Sequence, residues 1–378
     1  MRTWRNERPL RLTEHPFSTN HSCDRVAERS MPNYESTLTR FPSILVFCLI
    51  LSACGGSGEP VVEIALHPTK PDLLYIATND YIYKTRDSGK TWTNVSKGMT
   101  HSRVISLAVD PLLPANVYAG TKGDAIFKSF NGGHQWISQR KGLEGVTITS
   151  VVHEIKFVPG SSQHIFAATS MGVFETENAG ETWAKRMEGM IEVLMVVTID
   201  VDPNQPQTLY AGTSGGVYRS LDGAKTWIKV NNGLVPPDVL KSSRALGVVK
   251  IKIDRHAPHT VYTATLKGLY KTTDGGESWQ RIGESLPDQF FSDLILDPMT
   301  PGVVFVASRA GVHTSRDGGQ TWDAVNEGLT NLNIRALVIS PTDPSTLYVG
   351  TNRAGLFRTN NGGRLWEPVP LTPAPQSP

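Results

Sequence analysis

Two sets of acidic residues in this 378-residue chain could do chemistry. The first is represented by Asp317, which stands in the octapeptide S-R-D-G-G-Q-T-W at residues 315–322. A carboxylate in a glycine-rich turn can transfer a proton, bind a cation or accept hydrogen bonds from the turn. The second set could supply the paired carboxylates that glycoside hydrolysis needs, and it comprises Glu63, Glu154, Asp200 and Asp293.

The octapeptide occurs seven times, and this recurrence bears on the role of its aspartate. The acidic position is Asp in four copies and Asn in three, at Asp87, Asn131, Asn178, Asp222, Asp274, Asp317 and Asn361. Asn keeps the hydrogen-bond acceptor but loses the charge, so the swap disfavours a catalytic acid or metal site and favours a structural turn. The fourth copy has Ala224 where the others have Gly, which predicts a slightly different turn there. The last position is always Trp, at Trp92, Trp136, Trp183, Trp227, Trp279, Trp322 and Trp366.

The elements that must position these residues are short strands. Each repeat contains segments such as V-I-S-L-A-V-D-P (104–111), N-V-Y-A-G-T (116–121) and G-V-Y-R-S (216–220), which alternate apolar and small residues between Gly, Pro and Asn. The repeat length of about 40 to 50 residues is that of a propeller blade. We therefore predict an all-β fold: a seven-bladed β-propeller over residues 61–370, with four antiparallel strands, A to D, in each blade and the octapeptide in each C–D turn.

The order of strands also predicts how the ring closes. The first repeat begins with strand A and the last ends with strand D, so no strand is exchanged between them and closure depends on packing of blade faces. An open solenoid is the alternative, but it would expose two apolar ends.

The phrase S/T-x-D/N-x-G-x-T/S-W resembles the Asp box, or BNR repeat, of sialidases, sortilin-type receptors and two-propeller xyloglucanases. It is also similar to that of the photosystem II assembly and stability factors, which resemble this chain in their single seven-bladed propeller and, in cyanobacteria, their lipoprotein signal. The resemblance to the assembly factors implies a non-catalytic, lipid-anchored scaffold that binds another protein. The resemblance to xyloglucanases and sialidases implies the alternative, a glycoside hydrolase that uses carboxylates in the channel.

Alignment of the A strands places the four carboxylates on the side that faces the channel. Lys156, Lys250 and Lys252 fall in the same two columns of the alignment. The carboxylates are therefore either a hydrolytic pair or one half of a solvated network that these lysines balance. The lysines favour the network.

Basic residues gather at the propeller face opposite the octapeptides. They suit an acidic protein segment as partner, similar to the Arg-rich patch of the photosystem II assembly factors, although scattered solubilising charge is the alternative. Two longer connections, 186–195 and 228–245, are predicted either to recognise a partner or to cover the channel mouth. The basic residues are Arg103, Lys122, Arg244, Lys267, Arg309, Arg335 and Arg353.

Several function classes lack support in the sequence. The formal net charge is +2, which gives no argument for nucleic acid. The histidines lack ligand spacing such as H-E-x-x-H, and phosphate-binding glycine motifs between strand and helix are missing, so we expect no metal and no cofactor. We also expect a monomer.

The N-terminal region is predicted to export and anchor the chain. An apolar run from Ile44 to Leu51 has the length of a signal-peptide core, and Leu51-Ser52-Ala53-Cys54 resembles a bacterial lipobox, which implies a lipid on Cys54. A plain secretory signal is the alternative. We expect a lipoprotein of the periplasm or cell surface, with the segments 1–30 (a misannotated start or a disordered extension), 31–53 (signal peptide), 54–60 (flexible tether) and 371–378 (disordered tail).

Overall fold

The structure, a computed structural model, describes residues 59–99, 103–143, 145, 150–191, 195–234, 246–288 and 290–371. The predicted segments 1–30 and 31–53, the lipidation residue Cys54 and most of the predicted tail lie outside the described residues. The described part contains strands and turns without a helix, so it includes no helix with the length and hydropathy that a membrane crossing requires.

Twenty-eight strands form seven separate four-stranded antiparallel sheets, and the strands of each sheet are consecutive in the chain. Blade 1 comprises β1 (Glu63–Leu66), β2 (Leu74–Ala77), β3 (Ile82–Thr85) and β4 (Thr93–Asn94), and blade 2 comprises β5 (Arg103–Val109), β6 (Val117–Lys122), β7 (Ile126–Ser129) and β8 (Ile137–Gln139). Blade 3 comprises β9 (Val152–Phe157), β10 (Ile165–Thr169), β11 (Gly172–Thr176) and β12 (Ala184–Lys185), and blade 4 comprises β13 (Val196–Val201), β14 (Leu209–Thr213), β15 (Gly216–Ser220) and β16 (Ile228–Lys229). Blade 5 comprises β17 (Val248–Ile253), β18 (Val261–Thr265), β19 (Gly268–Thr272) and β20 (Gln280–Ile282), and blade 6 comprises β21 (Phe291–Leu296), β22 (Val304–Ser308), β23 (Gly311–Ser315) and β24 (Asp323–Ala324). Blade 7 comprises β25 (Ile334–Ile339), β26 (Leu347–Thr351), β27 (Leu356–Thr359) and β28 (Glu367–Val369).

The seven sheets form a closed propeller, as the sequence predicts. The four strands of each blade are called A to D in chain order, and strand A of each blade contacts strand A of both neighbours, including blade 7 with blade 1. Strand A is therefore innermost. Seven apolar clusters lie between neighbouring blades, one at each interface.

Blades 7 and 1 close the ring without sharing a strand, which confirms the prediction of closure by face packing. Ile64 and Trp92 of blade 1 pack with Ala336 and Tyr348 of blade 7 in one buried cluster. The Trp92 indole Nε1 also donates a hydrogen bond of 3.0 Å to the Pro370 carbonyl, beyond the last strand. The contacts that join these two blades are thus of the same apolar kind as those elsewhere in the ring.

The octapeptide turns make the hydrogen bonds that their side chains predict. In the first copy the Thr85 hydroxyl donates to Asp87 Oδ1 (2.7 Å) and accepts the Gly89 N–H, while the Thr91 N–H donates to Asp87 Oδ1 (2.9 Å). The same three bonds recur in all seven copies. Asn replaces Asp without loss because only a single acceptor oxygen is needed.

The fourth turn differs only slightly from the others, in the φ angle at Ala224, where the equivalent glycines have φ between +87° and +96°. Ala224 adopts φ +68° and donates its N–H to the Ser220 hydroxyl at 2.9 Å, as Gly does in the other copies. Its side chain is fully buried. An Ala can enter the left-handed region at a cost of roughly 1–2 kcal/mol, and the turn's other bonds hold it there.

Each octapeptide turn also tends to bind the blade before it. In blade 1 the Tyr75 hydroxyl and the Lys84 ammonium both donate to the Gly132 carbonyl in the turn of blade 2, at 3.2 and 2.8 Å. The Trp136 indole Nε1 of that turn donates back to the Val95 carbonyl of blade 1 at 2.6 Å. Equivalent pairs of a tyrosine and a cation reach the turns of blades 3, 5 and 6. The turn is therefore a fastening between blades as well as a hairpin.

We expect the tryptophans to differ in their contribution to stability. Trp366 is 1 % exposed and its Nε1 donates to the Val325 carbonyl of blade 6, whereas Trp322 is partly buried and donates only to Gly319 in its own turn. Trp366→Ala should lower the free energy of unfolding by about 3–5 kcal/mol, and Trp322→Ala by clearly less. Urea unfolding of the two variants beside the unmodified chain measures this difference. Equal losses would contradict the inter-blade role of the indole.

Candidate functional site

The channel side chains predicted from the first column of the alignment share one level of the ring, and Lys156, Asp200 and Lys252 of the second column lie two residues further along their strands. Each first-column residue pairs across its sheet with a small residue of strand B, for example Glu63 with Ala77 and Lys250 with Ala264. The alignment of strands A is therefore correct in register. The seven residues at this level are Glu63, Ser106, Glu154, Thr198, Lys250, Asp293 and Ala336.

Lysines from the same columns pair with two of the four candidate carboxylates. Lys250 Nζ lies 2.9 Å from Glu154 Oε1, and Lys252 Nζ lies 3.8 Å from the same oxygen. Lys156 Nζ lies 2.5 Å from Asp200 Oδ1. The interleaved lysines thus form the ion-pair network that the sequence favoured.

The second oxygen of these carboxylates has a structural partner in the next blade. Glu154 Oε2 accepts the Ile199 N–H at 3.0 Å, and Asp200 Oδ2 accepts the Ile253 N–H at 2.9 Å. Asp293 in blade 6 likewise accepts the Leu337 N–H of blade 7 at 3.1 Å. Strand A is the inner edge of its sheet, so the N–H groups on its free side lack a strand partner. These three carboxylates each satisfy one of them.

The two glutamates at this level differ in their protonation. Burial raises the pKa of Glu63 to about 8, and the nearby Asp293 and Glu154 carboxylates add to the rise while Lys250 opposes it. Burial alone would raise the pKa of Glu154 too, but Lys250 and Lys252 hold it well below its usual range. At neutral pH the ring therefore holds a neutral Glu63 beside an ionised Glu154.

The channel mouth on the side of the A–B loops forms a cavity of about 380 Å³. Lys156, Asp200 and Lys252 line it together with prolines and aliphatic side chains. No aromatic side chain is among its described lining residues, whereas ligand pockets are usually lined by apolar and aromatic groups. One of the four candidate acids, Asp200, thus reaches a cavity, but its two oxygens already bind Lys156 and the Ile253 N–H.

The A–B loops and the B–C turns, which lie on opposite faces of the propeller, carry opposite charge. The octapeptide face carries the octapeptide turns and the A–B loops, and the B–C face carries the B–C turns and the D–A connections, because strands alternate in direction. The A–B loops contain two basic residues against six aspartates, namely Lys70, Arg255, Asp72, Asp110, Asp202, Asp254, Asp297 and Asp343. The B–C turns, with the last residue of β6, contain four basic residues against two aspartates, namely Lys122, Lys267, Arg309, Arg353, Asp80 and Asp124.

Six of the seven basic residues predicted to bind a partner are on the B–C face, and all six are exposed; Arg244 lies outside the described residues. Within the described part of the chain, none of the six forms an ion pair. Arg103 donates to Asn79 Oδ1 at 3.1 Å, and the Arg309 guanidinium lies over the Phe290 ring at 5.8 Å. Going round the ring, the six lie in blades 5, 6, 7 and 2, and they are Lys267, Arg309, Arg335, Arg353, Arg103 and Lys122.

Sequence reasoning missed a bulge near the start of strand A. In blades 2 to 7 the pairing with strand B shifts by one residue, which leaves an unpaired position at the B–C end of the channel. A bulge redirects the side chain that it carries. The bulge residues are partly or fully exposed at this mouth, and they are Ile105, His153, Val197, Val249, Ser292 and Arg335.

One group of potential metal ligands also went unnoticed in the sequence. His164, Glu175 and Glu177 place ligand atoms within 4.8 Å of one another on the outer part of blade 3. Glu175 is buried, and its two oxygens already bind His164 Nε2 and Arg186 Nε, each at 2.6 Å. The arginine supplies a positive charge where a cation would bind, so these contacts describe an ion-paired network.

Comparison with known proteins places the fold among two kinds of propeller protein. No family model matches the chain. A curated xyloglucanase of Hypocrea jecorina is 33% identical over 101 residues, which are 25% of this chain and 12% of that enzyme. The match therefore spans only a small part of the enzyme.

Solved structures cover more of the chain at lower identity. The GH74 xyloglucanase from Xanthomonas campestris matches with a TM-score of 0.66 and 17% identity, over 82% of this chain and 54% of that one. YCF48 bound to D1 peptide matches with a TM-score of 0.60 and 18% identity, over 80% of this chain and 94% of that one. These likenesses establish the propeller fold.

The opposite pKa shifts of the two glutamates predict opposite effects of their amides. Because the folded pKa of Glu63 exceeds its ordinary value of 4.5, its contribution to stability is complete below that value and is lost as pH rises through about 8. Glu63→Gln should therefore raise the melting temperature relative to the unmodified chain at about pH 9 and change it little at about pH 5. The measurement is thermal unfolding across this pH range.

Glu154→Gln is the matched control for Glu63→Gln. The lowered pKa of Glu154 gives stability that is present above 4.5 and is lost as pH falls below it. This variant removes the partner of Lys250 and should lower the melting temperature at neutral pH. Parallel pH profiles for the two amides would show that the glutamates do not have the distinct environments described.

Proposed function

We propose that this chain is a non-catalytic scaffold whose B–C face binds an acidic segment of another protein. The observation that carries the proposal is the exposed set of basic residues on that face, which lack ion-pair partners in the described part of the chain, while the A–B loops on the opposite face are acidic. Such separation of charge steers an acidic partner to one side of the molecule.

The state of the channel supports a scaffold over an enzyme. A catalytic carboxylate must be available to protonate or attack a substrate. Asp200 has one oxygen on Lys156 and the other on the Ile253 N–H, and Glu154 is engaged in the same way by Lys250 and Ile199. These contacts hold neighbouring blades together, and a substrate would have to displace them.

The comparisons support both candidate functions at the level of the fold. YCF48 has been solved with a bound peptide, and it is similar to this chain over nearly its whole length. That agrees with protein binding by a single propeller, and with the resemblance of the repeats to the photosystem II assembly factors. The partner of this chain is proposed only as an acidic protein segment.

A glycoside hydrolase of xyloglucanase type is the second candidate. It is favoured by the xyloglucanase relative and by the neutral Glu63, which could donate a proton to a leaving group while an ionised carboxylate acts beside it. Release of reducing sugar from xyloglucan by the unmodified chain, lost in Glu63→Gln, would support this candidate and count against the scaffold.

The binding proposal predicts which charges matter. Peptides selected on the chain from a phage-displayed library of random dodecapeptides should be rich in Asp and Glu. For a selected peptide, the combined variant Arg309→Ser, Arg335→Ser and Arg353→Ser should weaken binding about 3- to 150-fold, because each exposed charge pair contributes roughly 0.2–1 kcal/mol. Fluorescence anisotropy with the labelled peptide measures the change.

The matched control removes three exposed basic residues from the octapeptide face, Lys70→Ser, Lys90→Ser and Arg255→Ser. This variant has the same net charge as the first and should bind the peptide as the unmodified chain does. Selection of peptides without acidic residues, or equal weakening by both variants, would refute binding at the B–C face.

We further propose that the chain is exported and held at a membrane by a lipid on Cys54, which the Leu51-Ser52-Ala53-Cys54 sequence supports. When the full chain is produced in a bacterium fed radiolabelled palmitate, it should be labelled and sediment with membranes. Cys54→Ser should remove the label and release the propeller. Cys48→Ser, a change of another cysteine within the apolar region, should do neither. Label that persists in Cys54→Ser would disprove this anchor.

A further inference from the structure

The B–C face has an apolar cavity of about 590 Å³ on its less basic side. It lies over blades 3, 4 and 5, since Ser170, Ser214 and Leu266 of their B–C turns form its rim. Its lining also includes the first residues of two A strands and the residues before them: Met195, Val197, Gly247, Val248 and Val249.

Two features of the sequence create this cavity. The strand A bulges of blades 4 and 5 place the aliphatic Val197 and Val249 at the mouth, where blades 3 and 7 have His153 and Arg335. Gly247 also lets the end of the Leu266 side chain lie close to the backbone, because a Cβ at position 247 would lie 2.7 Å from Leu266 Cδ1. An open apolar space results beside the channel.

Exposed apolar side chains lie in the B–C turns and a D–A connection of the blades that form the cavity. Leu266 is 46% exposed and Met171, in the neighbouring B–C turn of blade 3, is 40% exposed. Ile191, in the connection from blade 3 to blade 4, is 78% exposed. Leaving such side chains in water costs roughly 25 cal/mol for each Å² of apolar surface, so covering them would favour binding of an apolar group.

Basic residues begin where the cavity ends. Lys267 follows Leu266 in the same B–C turn, and the exposed cations continue from blade 5 into blades 6 and 7. Phe290, 57% exposed, lies between them with the Arg309 guanidinium over its ring. The face therefore changes from apolar to basic along one direction round the ring.

We propose that this cavity receives an aliphatic or aromatic side chain of the partner segment, which is then an amphipathic peptide with an apolar anchor and adjacent acidic residues. This inference rests on the proposed function, and it adds the chemistry of the partner. Because an extended chain advances about 3.3 Å per residue, a carboxylate one to three residues from the anchor would reach Lys267. The anchor supplies the desolvated core of the interface and the carboxylates supply its charged rim.

The test uses the full chain, Leu266→Asp, and the control Leu113→Asp. Leu113 is an exposed leucine of similar kind, at 57%, on the octapeptide face. On the unmodified chain and on Leu113→Asp, dodecapeptide selection should yield Leu, Ile, Met or Phe within three residues of Asp or Glu. On Leu266→Asp the apolar preference should vanish, and a peptide selected on the unmodified chain should bind about tenfold or more weakly. Unchanged thermal unfolding of both variants shows that the fold is intact.

A second variant, Gly247→Leu, fills the cavity without adding charge. Gly247 lacks a positive φ, and the atoms that its Cβ would crowd, Cδ1 at 2.7 Å and Cγ at 3.1 Å, both belong to the Leu266 side chain, which can turn aside. This variant should also lose the apolar preference while keeping the acidic one. Acidic peptides without an apolar anchor on the unmodified chain would overturn this inference and leave the proposed function standing. Selection of no acidic peptides would overturn both.

Other occupants of the cavity give different results. If the occupant is a second copy of the chain, sedimentation will show a dimer that Leu266→Asp dissociates. If it is this chain's own connection, anchored peptides will appear only when residues 235–245 are replaced by a Gly/Ser linker. Either result would overturn a partner side chain as the occupant.

Discussion

The inner edge of each blade sets the chemistry of the channel. Strand A has one neighbour within its sheet, so the N–H groups on its other side must find acceptors or remain unpaired at a cost of about 1–3 kcal/mol each when buried. Glu154, Asp200 and Asp293 provide acceptors from the adjacent blade. The first role of these channel carboxylates is therefore to accept hydrogen bonds from the backbone of the next blade. Because the carboxylates carry negative charge, lysines in the channel balance it.

In the outer part of the ring, neighbouring blades are joined by different groups. There the carbonyl of an octapeptide turn accepts bonds from a tyrosine and a cation of the preceding blade, as with Tyr210, Arg219 and Gly275. Two blades depart from this pattern: blade 3 has Phe166 and Glu175 at the corresponding positions, and blade 6 has Phe305 and Thr314. In blade 3 the substituted residue is charged. Its buried Glu175 pairs with His164 and Arg186 instead. These three residues all belong to blade 3, so the ion-paired network lies within the blade and does not reach the turn of blade 4.

Much of this fold is predictable because the information repeats. Seven octapeptides at nearly constant spacing predict seven blades, and the change of Asp to Asn at positions such as Asn131 indicates the role of the turn. The level of Glu63 and Lys250 in the channel follows from aligning strands on one proline. What the sequence hides is contact between repeats: that Lys250 binds Glu154, two blades away, depends on the radius of the ring.

The bulges and the apolar cavity were also beyond the reach of the sequence, for a related reason. The bulge position is filled by Ile105, His153, Val197, Ser292 and others, which share no residue type that could mark it. The cavity arises from three blades and from the absence of a side chain at Gly247. Propensity and periodicity describe single segments, whereas these features depend on how segments meet. The exposed cations, by contrast, could be assigned to one face because turn positions follow directly from strand order.

The seam between blades 7 and 1 has a consequence for how such a chain can change over time. Since no strand is shared there and Ile64, Trp92 and Tyr348 pack as residues do at other interfaces, blades 7 and 1 meet as any two neighbouring blades do. A gene rearrangement that joined the present ends and opened the chain between two other blades would preserve every interface. A whole blade is then the unit that can be duplicated or exchanged, and sequence differences between blades can collect in their turns.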